Sequence, residues 1–332
     1  MCIRDSAIEA RICAENPDNN FLPATGTLQV YRKPRAAAFE RAAVRVDDGV
    51  REGDVISPFY DSMIAKLIVH GDTREQALAR LDEALAATHI VGLHTNVQFL
   101  RHVIQSRSFA QADLDTALIQ REQAVLFHQD PVGLATAAAA AVASTLVGER
   151  VTEGDDPFSR RDGWRLHGAA NRRFRFEFNG QQANAELAYL HDGALRLTLD
   201  GKAADLSFQG AGEQLDVSYD GIRTQAIVYA NGETDHVFTP RGAAQIVSID
   251  LLAHAGDQAA EGGGLAAPMP GKVVSFSVKA GDAVTKGQTL AVMEAMKMEH
   301  TIAAPADGTV EELLFAPGDQ VAEGAALLTL KA

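Results

Sequence analysis

The sequence predicts a chain of several domains, α+β at its start and all-β from its middle to its end. Two observations lead to this prediction. The last part of the chain repeats itself at an offset of 37 residues, and the middle alternates apolar with polar residues between turn dipeptides. A length of 332 residues is enough for two or three domains. Hydrophobic residues make up 46% and charged residues 22%, the balance of a globular protein.

The first segment, residues 1–130, is predicted to be α+β. Residues 63–69 are almost wholly apolar, which indicates a buried strand. A helix is predicted to begin after Thr73, because Thr73 and Gln76 have the spacing of a capping box. A second helix is predicted to begin at Asn96.

The middle segment, residues 131–255, is predicted to be an antiparallel β-meander with one helix. The alanine-rich stretch after Pro131 favours a slim helix that could lie inside a surrounding sheet. Strand signals follow, as where Phe174, Phe176 and Phe178 alternate with charged residues. Five turn dipeptides, each a strong hairpin signal, separate such runs: Asn179-Gly180, Asp192-Gly193, Asp200-Gly201, Asp220-Gly221 and Asn231-Gly232.

The last segment, residues 266–332, contains the repeat. The residues that recur 37 positions later are Gly271, Val273, Gly281, Asp282, Val284, Gly287 and Leu290. One copy cannot bury both faces of its sheet, so we expect two copies, related by a pseudo-twofold axis, to form a small flattened barrel or sandwich. Residues 256–265 ahead of it include three consecutive glycines and are predicted to be a flexible linker.

The tripeptide Met296-Lys297-Met298 lies where a hairpin should join the two copies. A lysine there would expose its amine, and a group attached to it could reach two separate active sites. An amide bond to the lysine would also remove its charge, which lowers the desolvation cost of entering an apolar pocket. The alternative is an unmodified surface lysine beside two core methionines, and the position at the repeat junction disfavours it.

Composition excludes several kinds of partner. The net charge, 30 − 44 = −14, argues against nucleic acid and anionic membranes. No apolar run reaches the roughly 18 residues of a membrane span, and residues 1–6 lack the apolar core of a secretory signal. Cys2 and Cys13 form no metal-spaced cluster. We therefore expect a cytoplasmic protein with no metal site, no nucleic-acid partner and no membrane partner.

Residues 266–271 and 294–298 resemble the biotinyl domain of biotin-dependent carboxylases. The resemblance implies a biotin covalently attached to Lys297, with Met296 and Met298 flanking the attachment point. Lipoyl domains share this fold, so a lipoyl carrier of a 2-oxo-acid dehydrogenase is the alternative. Such domains usually present Asp-Lys-Ala, which disfavours lipoylation here.

The start of the chain resembles the C-terminal subdomain of biotin carboxylase in three stretches: residues 7–17, 20–26 and 60–67. The resemblance implies that Arg11 contacts biotin and the bicarbonate-derived carboxylate. A guanidinium suits negative charge developing on the ureido oxygen, because it is always charged and offers a planar fork of donors. Asp61 is similar to an aspartate near the biotin pocket, and Arg45 to an arginine at the interface between α subunits.

The middle segment is similar to the barrel-around-a-helix domain that docks acyl-CoA carboxylase α subunits on the carboxyltransferase β subunit. Residues 162–166 and 298–302 look most like the 3-methylcrotonyl-CoA carboxylase branch. Geranyl-CoA, propionyl-CoA and acetyl-CoA carboxylases are the alternatives. The implied function is to carry carboxybiotin on Lys297 to the β subunit, and the implied partners include biotin protein ligase and other α subunits.

The sequence departs from the family upstream of Arg11, where an ATP-grasp enzyme would bring its phosphate loop, lysines and magnesium-binding glutamates. The resemblance implies ATP, bicarbonate and Mg²⁺ for the complete enzyme, and we expect this chain alone to bind none of them. Residues 1–6 do not match the family sequence expected there. We interpret the start as a truncated reading frame, with a genuinely short protein as the alternative.

Overall fold

A computed structural model describes residues 6–250, 264–295, 298–322 and 324–331. The chain divides into two compact units, one of residues 1–128 and 258–332 and one of residues 129–257. We call residues 6–128 the first body, residues 129–250 the barrel body and residues 264–331 the repeat body. Within these described residues the fold is the predicted combination of an α+β part and all-β parts.

The first body is α+β. Its elements are β1 (Ser6–Cys13), β2 (Glu15–Asn16), β3 (Leu22–Pro23), β4 (Gly26–Thr27), β5 (Val30–Arg32), β6 (Val44–Asp48), β7 (Val55–Ile56), β8 (Met63–Gly71), α1 (Arg74–Ala86), β9 (His89–Val91), α2 (Val97–Gln105), α3 (Arg107–Ala110), α4 (Leu118–Arg121) and α5 (Gln123–Leu126). Its largest sheet is the antiparallel sheet β1-β8-β6, and it also contains three two-stranded pairs: β2–β3, β4–β7 and β5–β9.

The predicted strand and helix starts of the first body are confirmed. Strand β8 covers the apolar run and buries its alternate side chains, including Leu67 and Val69, which have no exposed surface. The Thr73 side chain accepts a hydrogen bond from the Gln76 amide at 3.2 Å. In a capping box the Gln76 side chain would accept a hydrogen bond from the amide of Thr73. Here it accepts instead from the amide of Asp72, one residue earlier, at 2.6 Å.

The barrel body is one helix inside a closed eight-stranded antiparallel barrel. Its elements are α6 (Leu134–Val151), β10 (Ala170–Phe178), β11 (Gln181–Tyr189), β12 (Leu195–Leu199), β13 (Lys202–Ala211), β14 (Gln214–Tyr219), β15 (Ile222–Asn231), β16 (Thr234–Thr239) and β17 (Gly242–Ser248). Residues 137–143 of α6 are at most 1% exposed, so the helix is buried on all sides. Six small alanines among them explain how a helix fits the lumen.

Helix α6 extends beyond the alanine-rich stretch and ends at Val151. At 18 residues it is long and apolar enough to cross a membrane by length and composition alone. Its apolar side chains pack against the barrel, for example against Phe176 and Leu187. The apolarity of α6 is therefore accounted for by the barrel around it.

The repeat body has two four-stranded sheets, β18-β25-β23-β20 and β22-β21-β19-β24. Its elements are β18 (Gly264–Ala266), β19 (Gly271–Phe276), β20 (Ala283–Val284), β21 (Thr289–Ala295), β22 (Met298–Ala303), β23 (Gly308–Leu313), β24 (Gln320–Val321) and β25 (Ala326–Lys331). Gly264 and Leu265 pair with β25, whereas the sequence assigned them to the linker. Residues 262 and 263 lie outside the described residues.

The pseudo-twofold relation is visible in reciprocal hydrogen bonds. Gly281 N donates to Val310 O at 2.7 Å, and its repeat partner Gly318 N donates to Val273 O at 2.7 Å. Both glycines have positive φ, +93° and +101°, which a side chain would strain. Each copy therefore supplies backbone partners to the other, which explains why neither copy is complete alone.

Candidate functional site

The hairpin β21–β22 frames the predicted attachment lysine. Ala295 pairs with Met298 in the antiparallel ladder, which leaves residues 296 and 297 as the connection between the strands. Met296 and Lys297 lie outside the described residues, as does the Met298 side chain. The next ladder pair is Glu294 opposite Glu299, and both side chains are exposed. The strands on both sides of the lysine are thus held by regular pairing.

Beneath this hairpin lies the hydrophobic core of the repeat body. Met293 and Leu327 are fully buried in it, and Ala295 is 3% exposed. His300, opposite Met293, has a buried Nε2 with no hydrogen-bond partner. Burial lowers the pKa of His300, so the ring is neutral at physiological pH. The base of the hairpin is therefore apolar and firmly packed.

In the first body, Arg11 projects from the outer face of the β1-β8-β6 sheet. Its side chain is 71% exposed, whereas its neighbours on the strand are buried. The guanidinium Nε lies 3.7 Å from Glu9 Oε1, and Lys66 stands opposite Arg11 on β8. A permanently charged donor is thus presented to solvent, where an anion can reach it.

The charges of Arg11 and Asp61 both act on the Cys13 thiol. Burial, followed by the Glu15 carboxylate, raises the pKa of the Cys13 thiol to about 11. Asp61 raises this pKa further and Arg11 lowers it, so both charges act on the same sulfur. The Asp61 carboxylate also accepts from the Met63 amide at 2.9 Å, which fixes the turn into β8. Cys13 is a free thiol that stays protonated at neutral pH.

Arg45 is occupied by a neighbour on its own strand. Its Nε lies 2.9 and 2.8 Å from the two carboxylate oxygens of Asp47, and its Nη2 lies 2.5 Å from Oδ2. Hydrogen bonding from Arg45 lowers the pKa of Asp47 below its usual range. The role of Arg45 at an interface between α subunits stays a prediction.

Sequence reasoning missed the group that holds the Arg11 strand, the side chain of Asn96. Its Nδ2 donates to Arg11 O at 3.0 Å, and its Oδ1 accepts from Cys13 N at 2.9 Å. Asparagine just before a helix is ordinarily taken as a cap, but this side chain makes no capping bond to α2. Because 83 and 85 residues separate the partners, no local pattern signals the contact.

Among the described residues, no group of three or more His, Cys, Asp or Glu side chains is arranged to hold a metal ion.

The most exposed large apolar side chains of the barrel body lie at the last residue of α6 and on the connection between α6 and β10. They are Val151, Phe158, Trp164 and Leu166, between 72% and 96% exposed. Beside them, Arg160, Arg161 and Arg172 line a shallow pocket at the end of α6. The outward positions of the barrel strands are mostly polar, and among the described residues of those eight strands Ile222 is the one large apolar side chain that is exposed, at 57%.

Comparison with protein families gives three matches. Residues 9–121 match the model of the biotin carboxylase C-terminal domain, and residues 131–251 match the BT domain of the methylcrotonyl-CoA carboxylase alpha subunit. Residues 263–330 match the model described as biotin-requiring enzyme. The chain thus matches, in three consecutive parts, domain families of biotin-dependent carboxylases. Its three matches follow the order predicted for an α subunit.

Several curated proteins match nearly the whole chain. The mitochondrial methylcrotonoyl-CoA carboxylase subunit alpha of Mus musculus is 33% identical over 98% of this chain and 47% of its own length. The same subunit of Dictyostelium discoideum is 32% identical over 94% of this chain and 47% of its own length. The mitochondrial propionyl-CoA carboxylase alpha chain of Mus musculus is 32% identical over 98% of this chain and 46% of its own length. The chain therefore spans about half the length of these relatives.

A solved structure, the biotin carboxylase domain of a thermophilic 2-oxoglutarate carboxylase bound to bicarbonate, is 32% identical to this chain. The match covers 37% of this chain and 27% of that one, with a TM-score of 0.34. The names of the three curated relatives place them in mitochondria. The cytoplasmic location of this chain stays a prediction.

Proposed function

We propose that this chain carries a carboxyl group, on biotin attached to Lys297, for an acyl-CoA carboxylase. The observation that supports it most is the hairpin β21–β22, which brackets Met296-Lys297-Met298 at the junction of the two repeat copies. Biotin, when attached, supplies a ureido nitrogen that accepts and releases a carboxyl group. The protein supplies a firmly packed hydrophobic core beneath a single attachment point.

Transfer in trans tests the carrier function. The biotinylated chain is mixed with an intact biotin carboxylase, ATP, Mg²⁺ and radioactive bicarbonate. We expect label on the chain, accumulating slowly because no tether raises the local concentration of biotin. The Lys297→Arg variant keeps the charge of the side chain and serves as the unlabelled control. Equal labelling of this variant contradicts the proposal.

We propose that Arg11 stabilises negative charge on biotin and on the bicarbonate-derived carboxylate in the complete subunit. The support is its placement on a paired strand, where its side chain is 71% exposed and its guanidinium lies 3.7 Å from the Glu9 carboxylate. An Arg11→Lys variant keeps the charge but loses the planar fork. In a complete subunit it should lower the rate of biotin carboxylation more than the affinity for ATP.

We further propose that the barrel body docks on a carboxyltransferase β subunit through residues 151–166. The support is the concentration of exposed aromatic side chains beside arginines, the residue types enriched where proteins bind one another. The sequence resemblance points to 3-methylcrotonyl-CoA as the substrate. Propionyl-CoA, geranyl-CoA and acetyl-CoA remain the alternatives, because the substrate would be selected on the β subunit. Biotin protein ligase and other α subunits are the remaining proposed partners.

Docking predicts a defined effect of truncating the aromatic side chains. Phe158→Ala and Trp164→Ala should each weaken binding to the β subunit at least tenfold, since buried aromatic anchors typically contribute 2 kcal/mol or more, roughly. Ile222→Ala, which removes an exposed apolar side chain from strand β15, is the matched control and should bind normally. Surface plasmon resonance with immobilised β subunit measures both. Equal loss in all three variants would contradict docking through residues 151–166.

A further inference from the structure

Asn96 forms hydrogen bonds to strand β1 along the edge that faces away from β8. These bonds lie next to Arg11, the arginine proposed to stabilise negative charge. Arg11 C=O and Cys13 N–H both point to that edge and flank Ile12. The Asn96 side-chain amide supplies one donor and one acceptor to them, at 3.0 and 2.9 Å. A residue of a parallel neighbouring strand would offer the same two groups opposite Ile12.

A third hydrogen bond strengthens this contact. Asn96 N donates to Cys13 O at 3.1 Å, so the backbone of Asn96 contributes as well as its side chain. The residue is 8% exposed, which makes its polar groups costly to leave unpaired. The contact lies beside a register shift between Ile12 and Cys13 in the pairing of β1 with β8. The Asn96 bonds thus hold β1 where its pairing with β8 is irregular.

Helix capping does not explain the asparagine. The first turn of α2 receives no hydrogen bond from the Asn96 side chain, in contrast to Thr73, which caps α1. An aspartate at position 96 could cap α2 equally well, but it has no donor for Arg11 C=O. The hydrogen bonds to strand β1 therefore explain an asparagine at position 96, and the capping of α2 does not.

We propose that Asn96 is a positioning residue for Arg11, whose side-chain amide fixes the β1 backbone so that the guanidinium projects from a set place. This inference rests on the role proposed for Arg11. A guanidinium displaced by even 1 Å loses much of its effect on a developing charge, since roughly 100-fold in rate can depend on such a shift. Asn96 touches no reactant and acts through the backbone of Arg11.

Hydrogen exchange in the full 332-residue chain tests the clamp itself. Asn96→Ala should speed exchange of the Cys13 amide about tenfold, the effect of losing one buried hydrogen bond. The Leu100 amide, which donates to the backbone oxygen of Asn96, is the internal control and should not change. Asn96→Asp should disturb the residues around Arg11 because the donor is lost. Unchanged exchange at Cys13 in Asn96→Ala, or neutrality of Asn96→Asp throughout β1, overturns the inference.

Kinetics test the consequence for Arg11. The chain is joined in frame to the part of the mouse methylcrotonoyl-CoA carboxylase subunit alpha that it does not match, and carboxylation of free biotin is measured. Asn96→Ala should lower kcat about tenfold or more with KM for ATP unchanged, whereas Thr73→Ala, which removes the cap of α1, should change neither. If Arg11→Lys lowers kcat and Asn96→Ala does not, the positioning role alone is overturned. If Arg11→Lys has no effect, the proposed role of Arg11 fails and the positioning role with it.

Discussion

Asp235 is the acidic side chain of the barrel body whose titration the fold changes most clearly. It lies on β16, is 8% exposed, and is hydrogen-bonded to the Ser248 side chain. Burial raises the pKa of Asp235 to about 6, against 3.8 for the free group, and the Ser248 bond offsets only part of this. The folded barrel therefore holds a proton on Asp235 at pH values where the unfolded chain has released it.

The sign of the resulting pH dependence follows directly. Between about pH 4 and pH 6 the folded state binds more protons than the unfolded state, so stability falls as pH rises through this window. Above this pH window the stabilisation from the proton on Asp235 is lost completely, and the loss amounts to about 3 kcal/mol or less. Asp235→Asn should therefore stabilise the barrel at pH 7 by about 1–3 kcal/mol and remove this pH dependence.

Urea unfolding, followed by circular dichroism, measures the free energy of unfolding at about pH 4, 5, 6 and 7. These pH values span the titration of Asp235. Asp205→Asn is the matched control, because the Asp205 side chain, on strand β13 of the same barrel, is 75% exposed. It should change stability by less than about 0.5 kcal/mol. A pH profile that Asp235→Asn leaves as it was would show that another group controls stability.

Helix α6 illustrates how one element determines the architecture of a body. Residues 137–143 touch barrel side chains on every side, and any added volume must displace one of them. Ala140→Leu should therefore destabilise the barrel body by about 1–3 kcal/mol or more. Ala135→Leu, five residues earlier on the same helix but exposed, should be nearly neutral. Thermal unfolding of the two variants compares them, and equal melting temperatures would contradict a helix enclosed by the barrel.

Elements whose signals are local could be predicted from the sequence. The dipeptide Asn179-Gly180 has φ of +49° and +74°, the backbone that a two-residue hairpin between paired strands requires. Asp200-Gly201 and Asp220-Gly221 behave in the same way. What could not be predicted depends on contacts between distant residues. The Asn96 clamp is one case, and the bridge from Glu149 on α6 to Arg172 on β10, at 2.8 Å, is another.

For the whole molecule, the three matched families describe only part of a carboxylase. Activating bicarbonate with ATP requires cations and metal ligands placed around the phosphates, and the sequence offers no phosphate-binding loop. We therefore predict that the purified chain shows no bicarbonate-dependent ATP hydrolysis. A coupled assay for ADP, with an intact biotin carboxylase as positive control, measures it. ATP hydrolysis that depends on bicarbonate in the chain alone would refute this prediction.

We expect Lys297 to be the single site of biotin attachment. The direct measurement is the intact mass of the chain after co-expression with biotin protein ligase, followed by peptide mapping. We predict an increase by one biotinyl group, located on the peptide that contains Met296-Lys297-Met298, and no increase in Lys297→Arg. An unmodified chain, a lipoyl group in place of biotin, or biotin that persists in Lys297→Arg would contradict the account.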